Sequence, residues 1–359
     1  MFRKIALAAA SGMFLASSLS GAEALHMKLN GAKEIPESVG RCAFEKFASF
    51  EEYQSAGRKE LAKLLALEDM EERKSPNRLK PEKVWTRDFG WGKVEKLRFE
   101  YEPGEFGCAY FCVPAGSKPP YRTIICLQGE HDLGMNVSIG VRRDDETTPI
   151  KVNGDLDLAV QCAKRGFASL CIEQRGMGER LNKQNNRYSY PLLLQSLLIG
   201  RILLGDRVLD IDCAIDYLAT RSDVDKSFLG ITGNGCGGVA AMFAGALLPR
   251  LTHVMPSCSF SSFRGGIGSR RHCACNYVPN LLFFGESADV LGLTAPRKLV
   301  IVNGARDSGH PIGEAEREFA RLGKIYSAAG AGGNVRHVIG KDGHRYYAKE
   351  AFDALRELR

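Results

Sequence analysis

The 359-residue chain has no run of Lys or Arg longer than two or three, and its formal charge of +7 is spread along its length. It therefore lacks the concentrated basic patch that nucleic acid requires, and no nucleic-acid partner is expected. Beyond the N-terminus it lacks an apolar run long enough to cross a bilayer. Residues 192–204 are strongly apolar but include Gln195 and Arg201, so a core helix or a cap over a site is expected instead. It also lacks the ligand spacing of a zinc site. Cys273-Ala274-Cys275 is too tight a pair, and no second Cys/His pair stands ready to complete it, so no metal is expected. The most consequential absence is a single side chain, at Gly235 in the middle of the chain's most distinctive turn.

What is present describes an ordinary folded protein. A hydrophobic fraction of 44% over this length supports one large domain with a full core, and the charged fraction of 25% is typical. Met1-Phe2-Arg3-Lys4 is a positive lead. Residues 5–19 are apolar and rich in Ala, and Ala22-Glu23-Ala24 and Ser20-Gly21-Ala22 offer cleavage sites. This is the pattern of a secretory signal peptide over residues 1–24, and an uncleaved anchor is the alternative reading. A secreted or periplasmic protein is expected, with no stable membrane span after cleavage. Export permits disulfides. The 11 cysteines are odd in number, so at least one stays free or pairs between chains. Cys126, Cys171 and Cys213 lie in apolar segments and read as small buried hydrophobes.

Residues 25–90 are mixed and charged, with helical spacing around Phe44–Phe50 and Lys59–Leu67 that Pro76 and Pro81 interrupt. They are expected to form a helical N-terminal extension. From residue 93 the period changes to two, predicting antiparallel strands over 94–101 and 108–113. After that, buried strands (121–127, 167–172, 251–256, 298–304, 335–339) alternate with helical patterns (155–165, 208–218, 313–328, 344–358). Asn182 to Arg187 is a polar loop, and residues 257–293 are irregular. Alternation of this kind calls for an α/β fold over residues 91–359, with a mostly parallel sheet covered on both faces.

The central turn is Phe228-Leu229-Gly230-Ile231-Thr232-Gly233-Asn234-Gly235-Cys236-Gly237-Gly238, followed by a small apolar helix. A strand that turns sharply into a helix through Gly-x-nucleophile-x-Gly resembles the nucleophile elbow of the α/β-hydrolases. In Gly233-Asn234-Gly235-Cys236-Gly237 the nucleophile's place is Gly235. Acyl-enzyme chemistry also needs a base and an acid to orient it, which in that fold follow the nucleophile in the order acid, base. Asp307 follows a strand where the acid belongs, and His344 follows the last strand where the base belongs. Taken alone, Asp307 could be a helix cap, and a lone His after Gly343 is more often a loop residue or helix cap; order and position favour the catalytic reading.

The segments "ICLQG", "RGFASLCIEQRGMGER", "GRILLGDRVLDIDCAIDYL", "GITGNGCGG", "MPSCSFSSFR", "HCACNYVPNLL", "LTAPRKLVIVNGARD" and "KDGHRYY" resemble the acetyl(xylan)-esterase and dienelactone-hydrolase-like branch of the α/β-hydrolases, from about Leu97 to the end. The resemblance implies deacylation of small esters or acylated carbohydrates without a cofactor, with Asp307 and His344 as acid and base. It also implies oxyanion donors from the backbone N–H of Cys236 and from the Gly129-Glu130 loop. Two departures stand out. Gly235 replaces the serine, and Glu130 stands where relatives tend to carry a His, a place His131 could fill only if the loop has gained a residue. A carboxylate there would oppose a developing oxyanion. The leading expectation is an esterase-type protein that is inactive or very weak as a serine hydrolase. Three alternatives stay open: a thiol hydrolase built on Cys236, His344 and Asp307; a non-catalytic binder of an acylated sugar or small ester; and a nucleophile relocated to Ser261 or Ser262. A cysteine at the N-terminus of the following helix is expected to have a lowered pKa.

Overall fold

The computed structural model describes residues 38–181 and 189–358; the expected signal peptide and the polar loop of residues 182–187 lie outside them. Its centre is a nine-stranded sheet in the order β1-β2-β3-β5-β4-β6-β7-β8-β9. The strands are β1 Glu82–Asp88, β2 Gly92–Glu102, β3 Glu105–Pro114, β4 Tyr121–Leu127, β5 Ala168–Ile172, β6 Val224–Asn234, β7 His253–Ser257, β8 Lys298–Gly304 and β9 Val335–Gly340. Pairing is antiparallel from β1 through β3 to β5 and parallel from β5 to β9. The helices of eight residues or more are α1 Phe50–Leu64, α2 Tyr190–Leu198, α3 Leu203–Thr220, α4 Cys236–Leu247, α5 Ile312–Ala328 and α6 Ala348–Glu357.

Two apolar layers sandwich the sheet. One contains α1, α3, α4 and α5 with Leu97, Phe99, Phe111, Ile125, Ile231 and Ile301. The other contains α6 with Tyr110, Ile124, Cys126, Cys171, Val300 and Val302. Successive residues of one strand thus enter opposite layers, as the two-residue period requires. The middle of the sheet is sealed on both faces, so β5 is buried along its whole length and reads as a continuous apolar run. Cys126, Cys171 and Cys213 are fully buried. All 11 cysteines are free thiols.

Two elements differ from the expectation, and a third resolves two readings the sequence left open. The sheet begins earlier, at Glu82, because β1 is an edge strand whose exposed side chains carry no apolar alternation. The N-terminal extension is helical only in part. In α1, Ser49 accepts the Glu52 N–H and Glu52 reaches back to the Ala48 N–H, both at 3.2 Å, and Phe50, Tyr53, Gly57 and Leu61 form one buried stripe. The apolar run 192–204 is broken by Gly200 at φ 72° into α2 and the start of α3. α2 is a cap, not a core helix: Leu198 is 86% exposed and Ile199 72%, and Leu193 turns inward onto Met177, Leu203, Cys236 and Cys275. Among the described residues, no helix is long and apolar enough to cross a membrane.

Candidate functional site

The parallel strands deliver their C-terminal loops to one cavity of about 340 Å³. Gln128 to His131, Gly235 and Cys236, His272 and Cys273, Asp307 to His310 and His344 line it. A larger cleft of about 790 Å³ around Lys46, Glu286, Asp289 and Arg321 shares none of these residues.

At the end of β6 the chain reverses through Gly235 at φ 58°, ψ −122°, a conformation that strains any residue with a Cβ. Its N–H donates to Ser257 O and its carbonyl accepts from Val239 N, each at 2.9 Å. Gly237 is required for a different reason: a Cβ there would run into the carbonyls of Leu127 and Gln128. The turn thus has the backbone geometry of an elbow, with a glycine at its apex. A Cβ on Gly235 would lie 2.9 Å from His344 Nε2 and near nothing outside that ring. The imidazole leans into the space a nucleophile's first carbon would need.

His344 Nδ1–H donates to Asp307 Oδ2 at 2.9 Å. The loops that carry the pair are laced together, with Ala305 N on Gly340 O at 2.7 Å and Arg306 N on Asp342 O at 2.9 Å. Asp307 also accepts the Gly309 N–H at 2.9 Å. Burial alone would raise the Asp307 carboxyl, but the hydrogen bond and charge of His344 outweigh it and hold the pKa down at about 2. Asp307 is therefore ionised and holds the imidazole, with His344 Nε2 turned toward Gly235. Sequence reading missed Cys258, whose Sγ lies within 4.8 Å of the Asp307 and His344 ligand atoms. Burial and the Asp307 charge push its thiol up to about 12.

The other expected residues fall as follows. Cys236 opens α4, where the first N–H groups of a helix have no partner in the helix itself, so its N–H is suited to an oxyanion. Its sulfur joins Cys273 and Cys275 in a cluster whose Sγ atoms all lie within 4.8 Å of one another. The lowered thiol pKa expected from the helix N-terminus is not found. A hydrogen bond with Cys273 favours the Cys236 thiolate, but the bond with Cys275, burial and the Cys275 charge override it, and its pKa rises. Gly129 passes against Asn234 O, 3.0 Å from where its Cβ would be. Glu130 stands exposed at the rim and accepts from Cys273 Sγ at 3.3 Å. His131 Nδ1 accepts the Leu133 N–H at 3.1 Å. Ser261 Oγ pairs with His310 Nδ1 at 3.2 Å, and Ser262 Oγ donates to Glu314 at 2.6 Å.

Sequence reading also missed what holds the Gln128–Glu130 loop. Glu173, buried at the end of β5, accepts from Gln128 Nε2 at 2.6 Å and Met135 N at 3.1 Å, while Gln174 donates to Gln128 O at 2.5 Å. Burial pushes the Glu173 carboxyl up to about 7. The available signal was a polar triplet, Glu173-Gln174-Arg175, directly after an apolar strand.

This sheet, elbow and order of loops define the α/β-hydrolase fold. Solved structures with the same fold include an acetyl xylan esterase candidate from Bacteroides fragilis NCTC 9343. It is 18% identical, with a TM-score of 0.68 over 93% of this chain and 84% of that one. The methylesterase BT1017 is 21% identical, with a TM-score of 0.69 over 91% and 69%. A glucuronoyl esterase from Solibacter usitatus is 16% identical, with a TM-score of 0.57 over 82% and 91%. In sequence, the chain is 26% identical over 271 residues to a candidate hydrolase, YtaP of Bacillus subtilis (strain 168), covering 74% of this chain and 87% of that protein. No family model matches the chain.

Proposed function

We propose that this chain is an exported protein of the carboxylic-ester-hydrolase type, from the acetyl-esterase branch, that receives a small ester or acylated carbohydrate in the cavity and has no working serine mechanism. The observation that carries the reading is the elbow itself. Gly235 holds the nucleophile's strained conformation and faces His344 Nε2, while the His344–Asp307 pair is assembled at 2.9 Å. Relatives of the same fold are named as esterases, which supports the substrate class. The N-terminal pattern of Arg3-Lys4 and an apolar stretch supports export.

The test is turnover of a small activated ester by the native chain and by His344→Ala. Loss of a triad nucleophile costs about 10⁶-fold in turnover, so the two rates are expected to agree within about twofold. A marked drop in His344→Ala would show that the base still serves a nucleophile. The thiol reading is disfavoured because Cys236 Sγ is grouped with Cys273 and Cys275 and its pKa is raised. Alkylation of the thiols is accordingly expected to leave the ester rate unchanged. A binder without turnover would show as thermal stabilisation by acetylated sugars.

A further inference from the structure

The wall of the cavity opposite in character to the His344–Asp307 pair is made of sulfur. Cys236 comes from the first turn of α4, and Cys273 and Cys275 from the irregular segment after β7. Their three Sγ atoms lie within 4.8 Å of one another, with Cys273 and Cys275 at 2.7 Å. Cys236 and Cys275 are buried, Cys273 is half-buried, and Cys236 and Cys273 face the cavity. We propose that Cys236, Cys273 and Cys275 bind one zinc ion, with the remaining coordination position turned toward the cavity.

Geometry, charge and ligand chemistry each support this assignment. Zinc holds thiolates at about 2.3 Å in a tetrahedron, which separates neighbouring sulfurs by about 3.8 Å. Cys273 and Cys275 would part by about 1 Å around such an ion. Arg207 projects from α3, is 1% exposed, and leaves Nη1 with no hydrogen-bond partner. The cluster sulfurs are its main electrostatic neighbours. A divalent ion and that guanidinium offset the three buried thiolates, and the one charge left over is that of Glu130 at the exposed rim, so buried charge is paired. The N-terminus of the 12-residue helix α4 adds a further positive field at Cys236.

The fourth ligand selects the ion. Glu130 Oε1 stands 3.3 Å from Cys273 Sγ, close to the roughly 3.5 Å between oxygen and sulfur in a zinc tetrahedron. Its side chain is exposed and can swing over the open position. A carboxylate beside three thiolates suits zinc, whereas copper(I) prefers sulfur alone. Sequence spacing could not show this set, because the ligand that completes the Cys273/Cys275 pair comes from the elbow helix.

The proposal does not rest on ester chemistry and is tested without it. The full chain, reduced and stripped with a chelator, is titrated with zinc against a chromophoric competitor and, separately, with cobalt(II). One zinc per chain and a thiolate-to-cobalt charge-transfer band are expected. Cys273→Ser and Cys275→Ser should each weaken zinc binding by at least about tenfold, more than the loss typical of residues that only orient ligands. Should the buried Cys275→Ser fail to fold, Cys273→Ser at the half-buried position decides, through a weakened cobalt band in a chain with unchanged circular dichroism. Four results overturn the assignment: no stoichiometric zinc, equal zinc affinity in native chain and Cys273→Ser, preference for copper(I) with zinc excluded, or a disulfide within the trio that resists reductant.

Discussion

The two walls of the cavity contrast in what each retains. On one side His344 Nδ1 is held by Asp307, and Nε2 faces Gly235, which carries no side chain. On the other, three sulfurs gather, and none belongs to the position that faces the base. Gly235 and Cys236 are neighbours in the chain, yet they serve different walls. Gly235 is the apex of the turn and Cys236 begins the helix, where each residue rotates the side-chain direction by about 100°. Cys236 Sγ accordingly gathers with Cys273 and Cys275, whereas the His344 ring lies with Asp307 and Cys258. The difference also shows how separable the parts of this fold are. His344 and Asp307 sit on loops laced to each other after β8 and β9, and the Cys236 N–H at the elbow is a backbone group. With glycine at position 235, the elbow backbone and the His344–Asp307 pair are both in place.

Restoring that side chain breaks the contrast most strongly. Gly235→Ser should give ester turnover at least about 10²-fold above the native chain, a modest share of the roughly 10⁶ that a triad nucleophile contributes. Asp307→Asn in that background should remove most of the gain, since an unoriented imidazole costs about 10⁴-fold. The new Cβ would sit 2.9 Å from His344 Nε2, so the imidazole must withdraw; its exposed side chain, 47% accessible, can do so. The φ of 58° at a residue with a Cβ costs about 1–2 kcal/mol, readable as a lowered Tm. A folded Gly235→Ser with no His344-dependent turnover would mean that the cavity has diverged beyond its nucleophile.

A smaller effect separates the walls by pH. Burial lowers His310, at the cavity, to about 3, and lowers His253 and His337 to about 4. In each case the folded pKa lies below the unfolded value near 6.5, so the unfolded chain binds the proton more readily. Their stabilising contribution is complete above pH 6.5 and is lost as pH falls toward 4. Asp307 acts in the same direction at lower pH: its folded pKa of about 2 lies below the normal value, so its contribution is lost as pH falls from about 4. Denaturant unfolding between pH 7 and 4.5 should show stability falling by about 1 kcal/mol per pH unit for each histidine. His310→Gln, whose ring neighbours are His272 and His344 with Asp307 alongside, should flatten the curve and leave the sulfur wall unaffected. A flat native profile would contradict burial as the cause.

How far these features were legible follows from what kind of signal each one leaves. The parallel strands, the elbow, and the placement of Asp307 and His344 were readable because each is written in contiguous residues: apolar runs, glycines at fixed offsets, and a His after a Gly at a strand's end. β1 was not, since an exposed edge strand has no apolar alternation. The cap helix α2 could not be told from a core helix, because composition records apolarity and not what covers it. The raised Cys236 thiol was opposite to the helix-terminus argument, since its two sulfur neighbours are distant in sequence. Cys258 beside the acid, and Glu173 beneath the oxyanion loop, are likewise products of tertiary approach.

The mildest test lies at Glu130, the residue that borders both walls. Its carboxylate turns toward Cys273 at 3.3 Å and stands exposed at the rim, so water and salt screen much of its charge from an oxyanion at the Cys236 N–H. Glu130→His in the Gly235→Ser background should therefore raise turnover only a few-fold, well below the effect of the serine itself. Glu130→Gln separates the two ways the change could act. If removing the negative charge is what matters, Gln and His should help equally, and the gain should shrink as salt is added. If the ring itself donates to the oxyanion, His should exceed Gln and the advantage should fade above the imidazole pKa. No gain from either would show that Glu130 faces the sulfur wall alone and leaves the oxyanion position undisturbed.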